Sequence, residues 1–142
     1  MEKYDNEMKL EFISKPYNEA LARISVASFV AYLDPTIEEI SDIKTAVSEA
    51  VTNSIIHGYE NTSGIVTIIS RIQNNILEIE VSDNGKGIED LEKARKPLYT
   101  TKPEEERSGM GFTIMETFMD EISVTSTVGK GTKVFMKKII KC

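Results

Sequence analysis

The chain has 142 residues, of which 40% are hydrophobic and 28% are charged, and its formal net charge at pH 7 is −6. This balance is typical of a folded globular protein, and we expect one domain over residues 1–142. The acidic charge argues against direct binding of nucleic acid phosphates, and no apolar run approaches the ~20 residues of a membrane span. The single cysteine, Cys142, has no partner for an internal disulfide. This cysteine usage favours a cytoplasmic location.

The first third of the sequence predicts a strand and a very apolar helix. Residues 8–14 alternate enough for a short strand, and residues 18–34 have the length and ending of a helix that stops before Pro35. Apolar side chains lie all around this helix, so we expect it to be buried on most sides or to present one side as an interface. Arg23 is its only cation.

A second helix is predicted from a capping signal. Thr36 and Glu39 have the spacing of a capping box, and the helix is expected to run to about Tyr59. A stripe at helical spacing is predicted to face the core. Its members are Ile40, Ile43, Val47, Val51 and Ser54.

The remainder of the chain mixes strands and helices without regular alternation. Four segments rich in apolar or β-branched residues predict strands in two pairs: 64–72, 76–82, 121–127 and 132–140. Between the pairs we expect a short helix near 89–95, a polar loop at 96–108 and a helix that ends near Asp120. This pattern predicts an α+β protein built as a two-layer α/β sandwich.

Three polar residues follow one another at four-residue steps on the second helix: Glu49, Asn53 and His57. Four residues turn a helix by ~400°, so these side chains should lie on one slowly drifting stripe. The small residues Ala46 and Ala50 flank it and would leave room for a ligand. A carboxylate can accept a proton, and an amide oxygen suits Mg²⁺. The alternative is a solvated helix face, with His57 structural or a minor phosphate contact.

A glycine-rich turn directly follows the third predicted strand, with the sequence Asp83-Asn84-Gly85-Lys86-Gly87. Glycines at 85 and 87 allow a tight turn and the close approach of a flat ligand. An aspartate at a strand end can accept a hydrogen bond from an exocyclic amine such as N6 of adenine. Taken alone, the D-x-G-x-G pattern also describes an ordinary turn.

A second glycine pair opens the late helix. The free N–H groups of Gly109, Met110 and Gly111 at a helix N-terminus would form a phosphate cradle. The preceding loop supplies hydroxyls and cations, at Thr100, Thr101, Lys102, Arg107 and Ser108. Taken alone, this segment also fits a glycine-hinged surface loop with solvated charges.

Together, in this order and with a late Gly131-Thr132, these motifs resemble the GHKL (Bergerat) ATP-binding family over nearly the whole chain. Residues 47–59, 100–103 and 107–115 resemble, more specifically, the SpoIIAB-type anti-sigma F factors. The resemblance implies a mixed, mainly antiparallel sheet with helices on one face.

It also implies an activity, cofactors and partners. A family member of this type holds a sporulation sigma factor (sigma F) and, with MgATP, phosphorylates a serine of a SpoIIAA-type anti-anti-sigma protein. The resemblance therefore implies these two proteins as partners, with ATP or ADP and Mg²⁺ as cofactors. The apolar first helix predicts a second copy of the chain as a further partner, and the charge and hydropathy predict no direct contact with nucleic acid or membrane.

Roles follow position by position from the same resemblance. Glu49 would be the general base, Asn53 the Mg²⁺ ligand, and Asp83 the residue that contacts the adenine amine. Arg23 matches a helix position that contacts partners. The further nucleotide-binding positions are His57, Gly85, Gly87, Thr100, Thr101, Lys102, Arg107, Ser108, Gly109, Met110, Gly111 and Thr132.

Three other functions stay open. A general stress-response anti-sigma kinase would share the reaction and differ in its partners. A non-catalytic module could sequester a protein in an ATP-dependent way, although it would not need Glu49. A GHKL ATPase fragment of a chaperone or mismatch-repair machine would require further domains. A histidine sensor kinase is disfavoured, because the only histidine, His57, lies inside the helix motif.

Overall fold

A computed structural model describes residues 4–59, 62–87 and 111–141. The strands are β1 Asn6–Ile13, β2 Ile65–Gln73, β3 Ile76–Asp83, β4 Glu121–Thr127 and β5 Gly131–Ile139. The α-helices are α1 Asn18–Val30, α2 Ile37–Thr52 and α3 Gly111–Phe118. The predicted short helix near 89–95 and the polar loop at 96–108 lie outside the described residues.

The strands form one sheet in the order β1-β2-β3-β5-β4. Every neighbouring pair in the described residues is antiparallel, so the sheet is not mixed there. The five strands predicted from sequence are confirmed, with ends shifted by at most one or two residues. Along β2 and β3, buried residues alternate with partly exposed ones, because successive side chains point to opposite faces.

The inner face of the sheet carries the core, to which Ile68, Ile79 and Met136 contribute fully buried side chains. The outer face is mostly polar, with Ile13, Ile65 and Ile139 as exposed apolar members. There Arg71 pairs with Glu7 at 2.8 Å and with Glu80 at 3.6 Å across neighbouring strands. The three α-helices of the described residues cover one face, which gives the predicted two-layer α+β sandwich.

Helix α1 has one buried side and one apolar exposed side. Ala22, Val26 and Val30 are fully buried, whereas Leu21 is 47% and Ile24 is 59% exposed. A 3-10 turn, Ala31–Leu33, completes the element. Of the two alternatives drawn from the sequence, the structure therefore favours a helix with one exposed apolar side.

Helix α2 is the central helix, against which both α1 and α3 pack. Its predicted capping box is present: the Glu39 N–H donates to Oγ1 of Thr36 at 3.0 Å, and the Thr36 N–H donates to the Glu39 carboxylate at 2.9 Å. The predicted core stripe is buried, except that Ile40 is only partly so. The helix predicted to run to about Tyr59 does continue to Gly58, and its last turn, Asn53–Gly58, is π-helical rather than α-helical.

Candidate functional site

A polar row crosses the inner face at one end of the three strands β3, β5 and β4. Asp83 is in register with Thr132, and Thr132 is in register with Ser126. Residues directly opposite in an antiparallel pair point to the same face, so all three side chains lie on the inner side. The hydroxyls of Ser126 and Thr132 are 2.8 Å apart. The apolar inner face thus ends in a row of hydrogen-bonding groups.

Asp83 is the buried member of this row, with 6% of its surface exposed. One carboxylate oxygen accepts the Gly85 N–H at 2.9 Å, and the carboxylate also accepts hydrogen bonds from the Ser54 hydroxyl and the Thr132 backbone. Burial raises the pKa of Asp83 above its ordinary value, and these hydrogen bonds act in the opposite direction. The side chain is therefore a fixed, desolvated hydrogen-bond acceptor.

Glycines let the backbone segments around Asp83 approach one another closely. A Cβ at Gly85 would lie 2.0 Å from the carbonyl oxygen of Gly58, and one at Gly131 would lie 2.0 Å from that of Asp83. Gly87 has a positive φ of 78°, which favours glycine. Gly85 and Gly87 thus have a structural reason to be glycines, and their predicted contact with a nucleotide stays a prediction.

The π-helical turn brings the end of the α2 motif against the sheet, because it contacts both β3 and β5. Its defining hydrogen bond joins the Tyr59 N–H to the carbonyl oxygen of Ser54 at 3.1 Å. The uniform step of ~400° predicted from Asn53 to His57 does not apply inside a π-turn. Glu49, Asn53 and His57 are all partly buried. Such turns occur frequently at functional sites.

The sequence predicts that Ala46 and Ala50 leave room for a ligand beside this motif, and this prediction is wrong. Both are fully buried members of the hydrophobic core. The reason is the close packing of α2 between other elements, including α1 and α3.

Tyr59 links three parts of the site. Its hydroxyl donates to the carbonyl oxygen of Ile65 at 2.7 Å and accepts the Asn84 N–H at 2.7 Å. The side chain is 8% exposed. Sequence reasoning assigned no role to Tyr59 or to the Ser54 hydroxyl, although Ser54 was the one polar member of the predicted core stripe.

A cavity of about 300 Å³ opens at this end of the sheet, and Asp83, Ser126 and Thr132 contribute to its lining. Lys130, in the turn between β4 and β5, and Lys133 also line it. Lys133 is in register with Ser82 and Thr125 and projects from the outer face of the sheet, opposite to Asp83 and Thr132. A buried acceptor beside hydroxyls and closely approached backbone fits a nucleotide base and sugar better than it fits an apolar ligand.

Several predicted site residues cannot be placed. Seven of them lie outside the described residues: Thr100, Thr101, Lys102, Arg107, Ser108, Gly109 and Met110. Gly111 is buried as the first residue of α3. Over residues 4–59, 62–87 and 111–141, no group of three or more His, Cys, Asp or Glu side chains is arranged to hold a metal ion. One amide ligand such as Asn53 is compatible with Mg²⁺, which usually keeps several waters and substrate phosphates as ligands.

Arg23, the only cation of α1, has a partner on the same helix. Its guanidinium pairs with the Glu19 carboxylate one turn earlier at 2.8 Å, and 34% of its side chain is exposed. The i, i+4 spacing of these two residues explains the pair.

Within the part of the chain that is described, no helix is long and apolar enough to cross a membrane.

Residues 12–138 match the family described as the histidine kinase-like ATPase domain. The chain is 63% identical over 136 residues to an anti-sigma F factor of Clostridium kluyveri, with 96% of each chain covered. It is 66% identical over 137 residues to an anti-sigma F factor of Thermoanaerobacter sp. (strain X514), again with 96% of each covered. The chain therefore belongs to the histidine kinase-like ATPase domain family and, within it, to the anti-sigma F factors. This membership confirms the resemblance seen in the motifs and implies binding of ATP or ADP.

Solved structures agree on the fold. The RsbU and RsbW domains of Rv1364c from Mycobacterium tuberculosis match with a TM-score of 0.68 and 17% identity, covering 95% of this chain and 32% of that chain. The Erythrobacter litoralis EL346 blue-light activated histidine kinase matches with a TM-score of 0.56 and 22% identity, covering 88% of this chain and 45% of that chain. At these identities the likeness concerns the fold alone, and it confirms the predicted GHKL architecture.

Proposed function

We propose that this protein is a single-domain cytoplasmic anti-sigma factor that binds a sigma factor of the F type and phosphorylates a serine of its anti-anti-sigma antagonist with MgATP. The observation that carries the proposal is the buried Asp83 carboxylate, in register with Thr132 and packed against the turn that contains Asn53. The similarity to anti-sigma F factors along nearly the full chain supports the choice of partners.

The polar row serves base recognition in this proposal. The exocyclic amine of adenine donates to Asp83, and Thr132 contacts the same base. The flat ring lies beside the turn that Gly85 and Gly87 shape. Lys130, in the turn that lines the same cavity, adds positive charge against a polyanionic ligand.

Phosphoryl transfer is assigned to the helix motif. Glu49 orients the serine hydroxyl of the partner and accepts its proton. A bond forms between the serine oxygen and the γ-phosphorus while the bond from that phosphorus to the β–γ bridging oxygen breaks, and ADP leaves. Asn53 would hold Mg²⁺, which offsets the negative charge of the phosphates.

The residues of the predicted phosphate cradle and lid complete the proposed site. The backbone N–H groups of Gly109, Met110 and Gly111 bind the phosphates together with Arg107, and residues 100–102 close over them. His57 and Ser108 are further proposed nucleotide contacts. These groups position and neutralise charge, which is most of what phosphoryl transfer requires.

The exposed apolar side of α1 is proposed as a homodimer face. Leu21 and Ile24 are 47% and 59% exposed on this helix. Arg23 lies between them in sequence and keeps part of its guanidinium available beside Glu19. A sigma factor bound next to this face would contact Arg23.

The anti-sigma activity is tested with core RNA polymerase and the F-type sigma factor of the same genome. The protein with ATP should inhibit transcription from a sigma-dependent promoter, and added anti-anti-sigma protein should restore it. An Ile37→Ala variant, altered at a side chain that is 91% exposed at the start of α2, is the matched control and should inhibit normally. Undiminished transcription at saturating wild-type protein would contradict the proposal.

A further inference from the structure

Ser54 is a buried hydroxyl that faces the nucleotide site from the helix side. It lies in the π-helical turn, is 5% exposed, and donates to the Asp83 carboxylate. The other buried positions of the same stripe on α2 are apolar. A hydroxyl buried at such a position is accounted for by its hydrogen bond, since an unpaired one would be destabilising.

The number of donors around Asp83 limits what its carboxylate can still bind. An ionised carboxylate has about four lone-pair sites, and three are taken by Ser54, Gly85 and Thr132. About one acceptor direction remains for a ligand. Gly85 and Thr132 donate from the backbone of the strand end, whereas Ser54 donates from the opposite, helical layer. The three donors together fix the rotation of the carboxylate.

Resting on the proposed role of Asp83, we propose that Ser54 is a positioning residue for base recognition, whose hydroxyl turns the remaining acceptor of Asp83 towards the 6-amino group of adenine. Ser54 thereby helps to set the preference for adenine over purines that lack this group. The residue does not contact the nucleotide in this account and acts through Asp83.

The test compares two nucleotides on the full-length protein by isothermal titration calorimetry. One is ADP, and the other is purine riboside 5′-diphosphate, which lacks only the 6-amino group. The wild type should bind ADP more tightly. Ser54→Ala should weaken ADP binding by about tenfold, the usual effect of losing a hydrogen bond to a charged group, here the bond from the adenine amine to Asp83. The affinity for the analogue should change by less than about twofold.

Three further variants separate positioning from packing. Ser54→Thr keeps the hydroxyl and should restore most of the ADP affinity. Ser70→Ala removes another fully buried serine hydroxyl, one with no hydrogen-bond partner among the described residues, and should leave both affinities unchanged. If Ser54→Ala does not fold, Ser54→Cys replaces the hydroxyl by a weak donor of similar size and should show a smaller but still selective loss for ADP.

The outcomes distinguish this inference from the proposed function. A wild type that binds both nucleotides equally would show that Asp83 does not contact the amine. This result would contradict both the proposed role of Asp83 and the proposed role of Ser54. If the wild type prefers ADP but Ser54→Ala weakens the binding of both nucleotides equally, or of neither, the inference about Ser54 is overturned. The proposed role of Asp83 then still stands.

Discussion

A Cβ at Gly58 would lie 2.9 Å from the carboxyl carbon of Asp83 and within 3.0 Å of both carboxylate oxygens. The end of the π-turn and the end of β3 therefore fit together because residue 58 has no side chain. The Lys86 N–H donates to the Gly58 carbonyl oxygen at 2.9 Å and joins the same two segments through the backbone. This contact connects the helix motif that carries the proposed base with the strand end that carries the proposed adenine acceptor.

Asp83→Asn should stabilise the nucleotide-free protein at neutral pH and weaken its binding of adenine nucleotides. Burial raises the pKa of Asp83 above its ordinary 3.8, so the folded state holds this proton more tightly than the unfolded state. The wild type therefore loses stability relative to the variant as the pH rises from 3.8 through the raised pKa. Urea unfolding of both proteins between acidic and neutral pH checks this sign. A difference that shrinks as the pH rises would contradict it.

Gly131→Ala should be much more destabilising than Gly129→Ala. Both residues have a positive φ, of 118° and 81°, so both substitutions introduce backbone strain of about 1 kcal/mol or more. Only at Gly131 would the new Cβ also meet backbone, at 2.0 Å from the Asp83 carbonyl oxygen, whereas nothing lies within 4 Å at Gly129. Overpacking should bring the loss at Gly131 to about 3 kcal/mol or more. Equal losses in urea unfolding would show that close approach is unimportant.

The features that could be predicted from sequence are those with local causes. The capping box of Thr36 and Glu39 depends on residues three apart, and the β2–β3 hairpin turns at Asn74, whose positive φ suits asparagine. The ion pair of Arg23 with Glu19 was equally visible as an i, i+4 pair and was overlooked.

The features that escaped prediction have non-local causes. The π-turn depends on contact between residues 53–58 and the strands β3 and β5, which no local pattern encodes. The position of Thr132 beside Asp83 follows from the register of two strands far apart in sequence. The motif resemblance supplied both residues as nucleotide contacts, while the donors that hold Asp83 became visible only in the fold.

Thr36→Ala should reduce the free energy of unfolding by about 1 kcal/mol, because it removes the N-cap of α2.

Hydrogen bonds from the Lys141 and Thr36 backbones lower the pKa of Glu39 below its ordinary 4.5. The contribution of Glu39 is therefore present above pH 4.5 and lost as the pH falls through its lowered pKa. Thermal melting of wild type and Glu39→Gln at neutral and acidic pH measures this. A gap between them that widens on acidification would contradict the assignment.

Ile24→Glu should convert the proposed dimer to a monomer. A charge placed on the apolar side of α1 would have to be buried in the dimer, and we expect the dimer dissociation constant to rise at least about tenfold. Ile37→Glu is the matched control, because Ile37 is 91% exposed at the start of α2. Sedimentation equilibrium should show a monomer for Ile24→Glu and a dimer for Ile37→Glu and wild type. A wild type that is monomeric at micromolar concentration would contradict the proposed dimer.

The central claim is that the helix motif and the strand end form one kinase site with Glu49 as its base. We would incubate wild type and Glu49→Gln with MgATP and the anti-anti-sigma protein of the same genome, and follow the partner by intact-protein mass spectrometry. The account predicts one added phosphate with wild type, a rate at least about 100-fold lower with Glu49→Gln, and ADP affinity unchanged within about twofold. Equal rates for the two proteins, or no added phosphate despite intact nucleotide binding by the wild type, would contradict it.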